Sequence, residues 1–158
     1  MIKFYFLFLL VFSTLITCFS HKTKSQKSNF ERDTSRYAII KFQKSDNWLF
    51  KNSKPTTINR KEVELIEKIL KKAVESYNKE VKKNSFAIRP LAVYRKQFVP
   101  VINRKGEKEV WVNCLCDDDD DGWKKGIIMV DDGGNCYFNL KINLTKKTFS
   151  QIMINGYA

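Results

Sequence analysis

The stretch INRKEVELIEKILKKAVESYNKEV, residues 58–81, decides the fold because it carries a long helical pattern. Asn59 followed by Glu62 has the spacing of a capping box, in which each side chain accepts a hydrogen bond from the other residue's backbone N–H. Apolar residues then recur at intervals of three and four, which predicts one buried stripe on a helix of about six turns. The stripe comprises Val63, Ile66, Leu70, Ala73 or Val74, Tyr77 and Val81. We therefore expect this helix to lie across a sheet.

Strand-like segments separated by turns lie on both sides of the helix. Before it, YAIIKF at residues 37–42 and WLF at residues 48–50 predict a strand or a short hairpin. After it, alternating or apolar runs predict further strands, and Pro100 indicates an edge position or a bulge. These runs occupy residues 91–103, 108–116, 126–130, 136–144 and 148–154.

One helix followed by such a series of strands predicts a single α+β domain over residues 37–158. We expect one long helix packed on a four- to five-stranded antiparallel meander sheet whose outer face is wet. This order of elements resembles the cystatin-like and NTF2-like folds. The stretches WLFKNSKPTT, VWVNCLC and DDGGNCYFNLKIN are similar to those of small exported bacterial proteins of unknown function. The resemblance implies a shape and assigns no catalytic residue.

Residues 1–20 have the pattern of a secretory signal peptide. Lys3 supplies a positive start, and residues 4–16 form an apolar stretch without charge. This stretch is shorter than the roughly 20 apolar residues that a membrane-spanning helix needs. Residues 21–36 are polar, basic and aperiodic, as is typical of a flexible leader or a tether. We therefore predict an exported protein that is secreted, periplasmic or lipid-anchored to the cell envelope.

The signal segment has three alternative fates. The pattern Cys18-Phe19-Ser20 favours cleavage and release before His21. The residues that end at Cys18 also resemble a bacterial lipobox, in which Cys18 would be lipidated and become the new N-terminus. Thr17 is an unusual residue at the position before that cysteine. The third alternative is a segment that stays uncut and serves as an anchor.

The chain is strongly basic, with a formal charge of +12 that results from 29 Lys and Arg against 17 Asp and Glu. These basic residues are spread along the sequence rather than collected in one run. Such a balance favours attraction to anionic surfaces without naming a partner. No recognised nucleic-acid motif is present, so no nucleic-acid partner is expected.

Cys114, Cys116 and Cys136 remain as an odd set once Cys18 is assigned to the signal. If residues 126–130 form a strand between the two cysteine-bearing strands, two spacings of about 4.8 Å exceed the usual Cα separation of a disulfide. We therefore predict three free thiols that serve as small buried apolar side chains. A disulfide from Cys114 or Cys116 to Cys136, with one thiol left free, is the alternative.

Five aspartates in a row follow the second of these cysteines. Asp117, Asp119 and Asp121 with the glycine that follows satisfy the first half of a calcium loop, D-x-D-x-D-G. The second half fails because Ile128 occupies the position where a bidentate glutamate belongs. A solvated hairpin loop is therefore the preferred interpretation, and calcium binding by these three aspartates is the alternative.

Our first functional hypothesis is an exported, non-enzymatic binding or accessory domain with no cofactor and no catalytic residue. Its expected partner is an envelope or extracellular protein or an anionic surface. His21 is the only histidine and lies in the leader, so the domain lacks Ser-His and Cys-His pairs. The alternatives are a calcium-binding exported domain and a small NTF2-like enzyme using carboxylates and tyrosines in a pocket between helix and sheet. A deep polar pocket there would favour the enzyme, and a filled core would favour binding.

Overall fold

The computed structural model describes residues 36–82, 86–116 and 121–156, without the side chain of Asp121. The predicted signal peptide and the leader up to residue 35 lie outside the described residues. No helix in the described part of the chain is both long and apolar enough to cross a membrane.

One long helix and seven strands form an α+β domain with a mixed sheet. Helix α1 spans Arg60–Glu80. The strands are β1 (Tyr37–Ile39), β2 (Lys54–Pro55), β3 (Tyr94–Ile102), β4 (Lys108–Cys116), β5 (Tyr137–Asn143), β6 (Thr148–Phe149) and β7 (Met153–Ile154).

The three long strands β3, β4 and β5 form the antiparallel meander at the centre of the sheet. Strand β1 runs parallel to β3, so the predicted purely antiparallel sheet is wrong in this respect. Short strands complete both edges: β2 also pairs with β3, and β6 and β7 both pair with β5. Strands β1 and β2 both pair with the edge of β3 that faces away from β4, and Pro100 lies between the residues that they pair with. Its missing N–H therefore falls at a break in strand pairing.

Helix α1 begins as its sequence predicts and buries most of the predicted stripe, with Ile69 in addition, whereas Tyr77 is only partly buried and Val81 caps the end of the helix. The Asn59 side chain accepts from the Glu62 N–H at 3.1 Å, and the Glu62 carboxylate accepts from the Asn59 N–H at 2.8 Å. These two bonds satisfy helix-end donors that would otherwise lack partners. The buried stripe of the helix consists of Val63, Ile66, Ile69, Leu70, Ala73 and Val74. It packs on alternating residues of the three long strands and fills the space between helix and sheet.

The outer face of the sheet is partly covered, which corrects the expectation of a wet face. Residues 40–50 cross it and form a second apolar cluster with β3 and β4. In that cluster Phe50 is 4% exposed, because it packs with Val99, Val101 and Trp111. Covering apolar strand residues in this way removes their surface from water and stabilises the fold by about 25 cal/mol per Å².

Residues 123–130, the outer strap, cover another part of the same face. Two polar side chains in the middle of the sheet hold it in place. Gln97 donates to the carbonyls of Trp123 at 2.5 Å and Gly126 at 2.6 Å, and it accepts from the N–H of Ile128 at 3.0 Å. Asn113 donates to the Ile128 carbonyl at 2.8 Å. The backbone of the strap is therefore hydrogen-bonded to these two side chains and not to a neighbouring strand.

The strand predicted over residues 126–130 is absent because β5 occupies the edge of β4 directly. That arrangement also overturns the prediction of three free thiols. Cys116 and Cys136 form a disulfide with a Cα separation of 4.9 Å, whereas Cys114 is free and buried. Burial raises the pKa of the Cys114 thiol and keeps it protonated. The prediction of three free thiols assumed a strand between β4 and β5, and the chain does not form one.

Removing the disulfide with C116A/C136A should lower the free energy of unfolding by about 3 kcal/mol, since the bond closes a loop with a sequence separation of 20. Urea unfolding of the oxidised protein, the reduced protein and the double variant measures this loss. Thiol titration of unfolded, unreduced residues 21–158 should find one reactive thiol, that of Cys114. Equal unfolding midpoints for oxidised and reduced protein would contradict a stabilising disulfide.

Candidate functional site

A groove of 590 Å³ opens on the outer face of the sheet. It lies where the β3–β4 turn, the β5–β6 turn and the segment before β2 come together. Its lining residues are Phe50, Lys51, Ser53, Asn103, Arg104, Lys105, Glu107, Glu109, Lys141, Asn143, Lys146, Thr148, Phe149 and Ser150. Its volume lies within the range of about 300–1,000 Å³ that is usual for small-molecule sites.

Two carboxylates in the groove, Glu107 and Glu109, share the same amide donors. Glu109 lies in β4 and Glu107 immediately precedes that strand; because they are two residues apart, both side chains lie on the outer face. The Asn103 side-chain nitrogen donates to Glu107 at 3.2 Å and to Glu109 at 2.9 Å. The Asn143 side-chain nitrogen donates to the same residues at 2.8 Å and 3.2 Å. The carboxylates are thus held side by side despite their like charge.

The backbone fixes the orientation of both amides. The Asn103 side-chain oxygen accepts from the N–H groups of Lys105 and Glu107, at 2.9 Å and 3.0 Å. The Asn143 side-chain oxygen accepts from the Lys146 N–H at 2.9 Å. Each amide therefore turns its NH₂ group, and not its oxygen, toward the carboxylates. This arrangement stabilises anionic side chains and lacks the converging oxygens that a hard cation requires.

Glu107 is the most strongly stabilised anion of the groove. Its ion pair with Lys146 at 2.7 Å, together with the amides of Asn143 and Asn103, lowers the pKa of Glu107 from 4.5 to about 2. Hydrogen bonds to a charged form favour that form. Glu107 is therefore ionised at neutral pH.

This lowered pKa predicts a loss of stability in acid. Because the folded-state pKa lies below the ordinary value, the contribution of Glu107 is complete above about pH 4.5 and disappears as the pH falls through about 2. The melting temperature of the wild type should exceed that of E107Q at neutral pH, and the gap should close toward pH 2. A gap that is constant over this range would contradict the lowered pKa.

Cations without ion pairs surround the carboxylates. Lys51, Arg104, Lys105 and Lys141 are exposed, and none of them forms an ion pair with a described residue. With Lys146 the groove holds five cationic side chains against two carboxylates, a formal charge of five minus two, or +3. Glu107 is paired with Lys146, and the cations outnumber the carboxylates, so the net charge of the groove attracts anions.

Aromatic side chains lie under and beside the groove. The Lys141 ammonium lies 4.8 Å from the ring centre of Phe50, which positions this cation by a cation–π contact. Trp48 is 57% exposed and contacts Trp111 edge to face, with ring centres 6.1 Å apart. Trp111 lies opposite Lys141 in the β4–β5 register, so the Trp48 indole lies on the same face of the sheet as the groove, although it is not one of the residues that line it.

The structure does not describe the side chains of the predicted calcium and lipidation sites. Asp117 and Asp119 are outside the described residues, as is Cys18, and Asp121 begins a short helical turn without a described side chain. Among the described residues no three side chains of His, Cys, Asp or Glu come together as metal ligands. Tyr94 is buried and donates to the Asn135 carbonyl at 2.7 Å, so this tyrosine is committed to the core.

Sequence reasoning missed the groove. Glu107 and Glu109 alternate in the sequence, which indicates a shared face, but nothing nearby distinguishes them from ordinary surface acids. The Asn143 side chain reaches them from 36 and 34 positions away. Only strand register brings these groups together.

No protein-family model, no curated protein and no solved structure matches this chain. The groove itself is therefore the basis for assigning a function.

Proposed function

We propose that this protein is an exported, non-enzymatic binding domain that holds an anionic ligand in the groove. The observation that carries the proposal is the division of charge within the site. Glu107 and Glu109 accept hydrogen bonds from the protein's own amides, whereas the cations Lys51, Arg104 and Lys141 have no ion-pair partner among the described residues. Unpaired cations around a concave surface attract and retain anions.

The state of Glu107 supports binding rather than catalysis. A general acid must carry a proton near the working pH, and a pKa of about 2 leaves Glu107 without one. Lys146 and two asparagines already occupy its oxygens. The enzyme alternative also requires a pocket between helix and sheet, where Leu70 and Phe98 are fully buried in a continuous core.

The sequence at the N-terminus supports export. The apolar run over residues 4–16 after Lys3 has the pattern of a secretory signal, and the basic segment that follows is typical of a leader. Mass spectrometry of the protein from its native host should find an N-terminus at His21, or a lipidated Cys18 under the alternative processing. An intact Met1 on the mature protein would contradict both forms of cleavage.

A binding experiment with matched charge variants tests the proposed function. The probes are a sulfated heparin-derived hexasaccharide, oligoglutamate and polyphosphate, titrated calorimetrically against the wild type. At least one probe should bind, and R104Q/K141Q should weaken its binding by at least about 10-fold, because two charge-assisted contacts are lost. Melting temperatures verify that the variants are folded.

The control is K68Q/K72Q, which also removes two positive charges, but from the exposed face of α1. Both lysines are solvent-exposed and unpaired with described residues, and they lie on the opposite side of the domain from the groove. This control should change the affinity by less than about 3-fold. If no probe binds, or if both double variants lose affinity equally, the groove is not the binding site.

A further inference from the structure

We infer that the ligand of the groove is an acidic saccharide, a chain of sugar rings that carries carboxylate or sulfate groups. This inference rests on the proposed function and names the chemical class of the anion. It is carried by three features of the outer face of the sheet: cations without ion pairs and a hydrogen-bond acceptor with a free oxygen in the groove, and an exposed indole on the same face. Each corresponds to a different group of such a ligand.

Glu109 supplies the acceptor. One of its carboxylate oxygens, Oε1, accepts from Asn103 and Asn143, at 2.9 Å and 3.2 Å. The other oxygen, Oε2, has no partner among the described residues. A second negative charge in a cationic groove opposes a ligand that is purely anionic. It favours a ligand that also donates hydrogen bonds, because hydroxyl donors bond strongly to a carboxylate.

The cations of the groove would bind the acidic groups of the ligand. Arg104 projects from the β3–β4 turn, and Lys141 projects from β5 over Phe50. They line the same groove as Glu109, so one ligand can meet both signs of charge. Guanidinium and ammonium groups bind carboxylate and sulfate by charge-assisted hydrogen bonds. Acid groups and hydroxyls alternate over short distances on an acidic saccharide.

Trp48 supplies an apolar surface beside these polar groups. A tryptophan that is more than half exposed leaves a large apolar ring in water, although Trp is usually well buried. Its contact with the buried Trp111, which lies opposite Lys141 in the β4–β5 register, holds the indole on the same face of the sheet as the groove, outside the groove's own lining. A rigid aromatic ring costs little entropy when it binds, and its face suits the C–H face of a sugar ring.

Single-stranded nucleic acid also combines negative charge with rings that stack on aromatic side chains. The groove favours the saccharide because the acidic groups Glu107 and Glu109 occupy it together with the cations. Phosphodiesters offer few donors to compensate for that repulsion. An oligothymidylate probe therefore serves as the competing outcome of the test.

Isothermal titration of the full domain with matched probes tests the inference. The probes are a heparin-derived hexasaccharide, an uncharged hexasaccharide, oligoglutamate, polyphosphate and oligothymidylate. The sulfated hexasaccharide should bind at least about 10-fold more tightly than the others, because it alone offers acid groups, hydroxyls and sugar faces. W48A should weaken this binding by at least about 10-fold, because it removes the stacking surface.

The E109Q variant should change the affinity for the hexasaccharide and the affinity for polyphosphate in opposite directions. It should weaken hexasaccharide binding about 3- to 10-fold by removing the charged acceptor, and it should strengthen polyphosphate binding by removing repulsion. The control K68Q/K72Q should leave this pattern unchanged.

Several outcomes separate the inference from the proposed function. If polyphosphate, oligoglutamate or oligothymidylate binds as tightly as the hexasaccharide and depends on Arg104 and Lys141, the groove binds anions but the saccharide assignment is wrong. The saccharide assignment is also wrong if E109Q weakens or strengthens the binding of all probes alike, or if W48A has no effect on binding by the folded protein. If no anion binds at all, the proposed function itself fails.

Discussion

Replacing Glu67 with alanine should lower the free energy of unfolding by about 2–4 kcal/mol, more than an ordinary surface substitution. Glu67 on α1 forms an ion pair with Lys96 on β3, with a distance of 3.0 Å between the carboxylate oxygen and the ammonium nitrogen. The Lys96 side chain is 9% exposed and lies between Tyr94 and Phe98 on the helix-facing side of the sheet. Removal of the partner leaves a buried ammonium without compensation. Because the Glu67 side chain is 33% exposed, water can reach the vacated site, which limits the loss.

The control for this prediction is E75A, which removes a carboxylate from the same helix. Glu75 pairs with Lys71 at 3.9 Å, and both side chains are largely exposed. Its loss should cost no more than about 0.5 kcal/mol. The double variant E67A/K96M should recover much of the stability, because the buried charge is then absent. Equal unfolding midpoints for E67A and E75A in urea would refute the role assigned to Lys96.

Replacing Gln97 with leucine should release the outer strap and lower the free energy of unfolding by about 2–4 kcal/mol. Gln97 is fully buried on the outer face and makes four hydrogen bonds, three of them to the backbone of the strap. Its fourth partner is the side chain of Asn113, at 3.1 Å. Leucine fills a similar volume but satisfies none of these groups, and each buried polar group without a partner is costly.

Amide hydrogen exchange localises this effect. The Ile128 amide should exchange faster in Q97L, whereas the amides of α1 should keep their protection relative to global unfolding. Gln151 provides the control, because it is exposed and the same substitution there should change stability by less than about 0.5 kcal/mol. If Q97L unfolds at the same urea concentration as Q151L, the strap is not held by Gln97.

The lysine at position 96 shows how far sequence reasoning extends and where it ends. Strand alternation places Lys96 on one face with Tyr94 and Phe98. It did not reveal that this face is the one covered by α1, or that Glu67 lies opposite. Glu67 lies on the helix beside the apolar stripe, where charged residues are usually solvated. The ion pair depends on the position of the helix on the sheet.

The outer face shows the same limit more strongly. Gln97 and Asn113 lie on the outer face of the sheet, which the sequence predicted to be in contact with water. Both side chains are instead buried under a segment whose apolar residues predicted a strand. Short apolar runs are ambiguous because periodicity alone does not identify what covers them.

Local spacing in the chain was sufficient for α1, its capping box, and the long strands β3, β4 and β5, because these depend on residues within a few positions of each other. The disulfide and the groove were decided by strand pairing, and the outer strap by the side-chain hydrogen bonds of Gln97 and Asn113. Their partners are distant in the sequence, as with Asn143 and Glu107, which lie 36 positions apart. Once β5 pairs directly with β4, Cys136 reaches Cys116 and Asn143 reaches the two glutamates. Local patterns reveal which segments form a helix or a strand, but they do not encode the register between distant strands. That is the physical reason why only the tertiary structure decided these features.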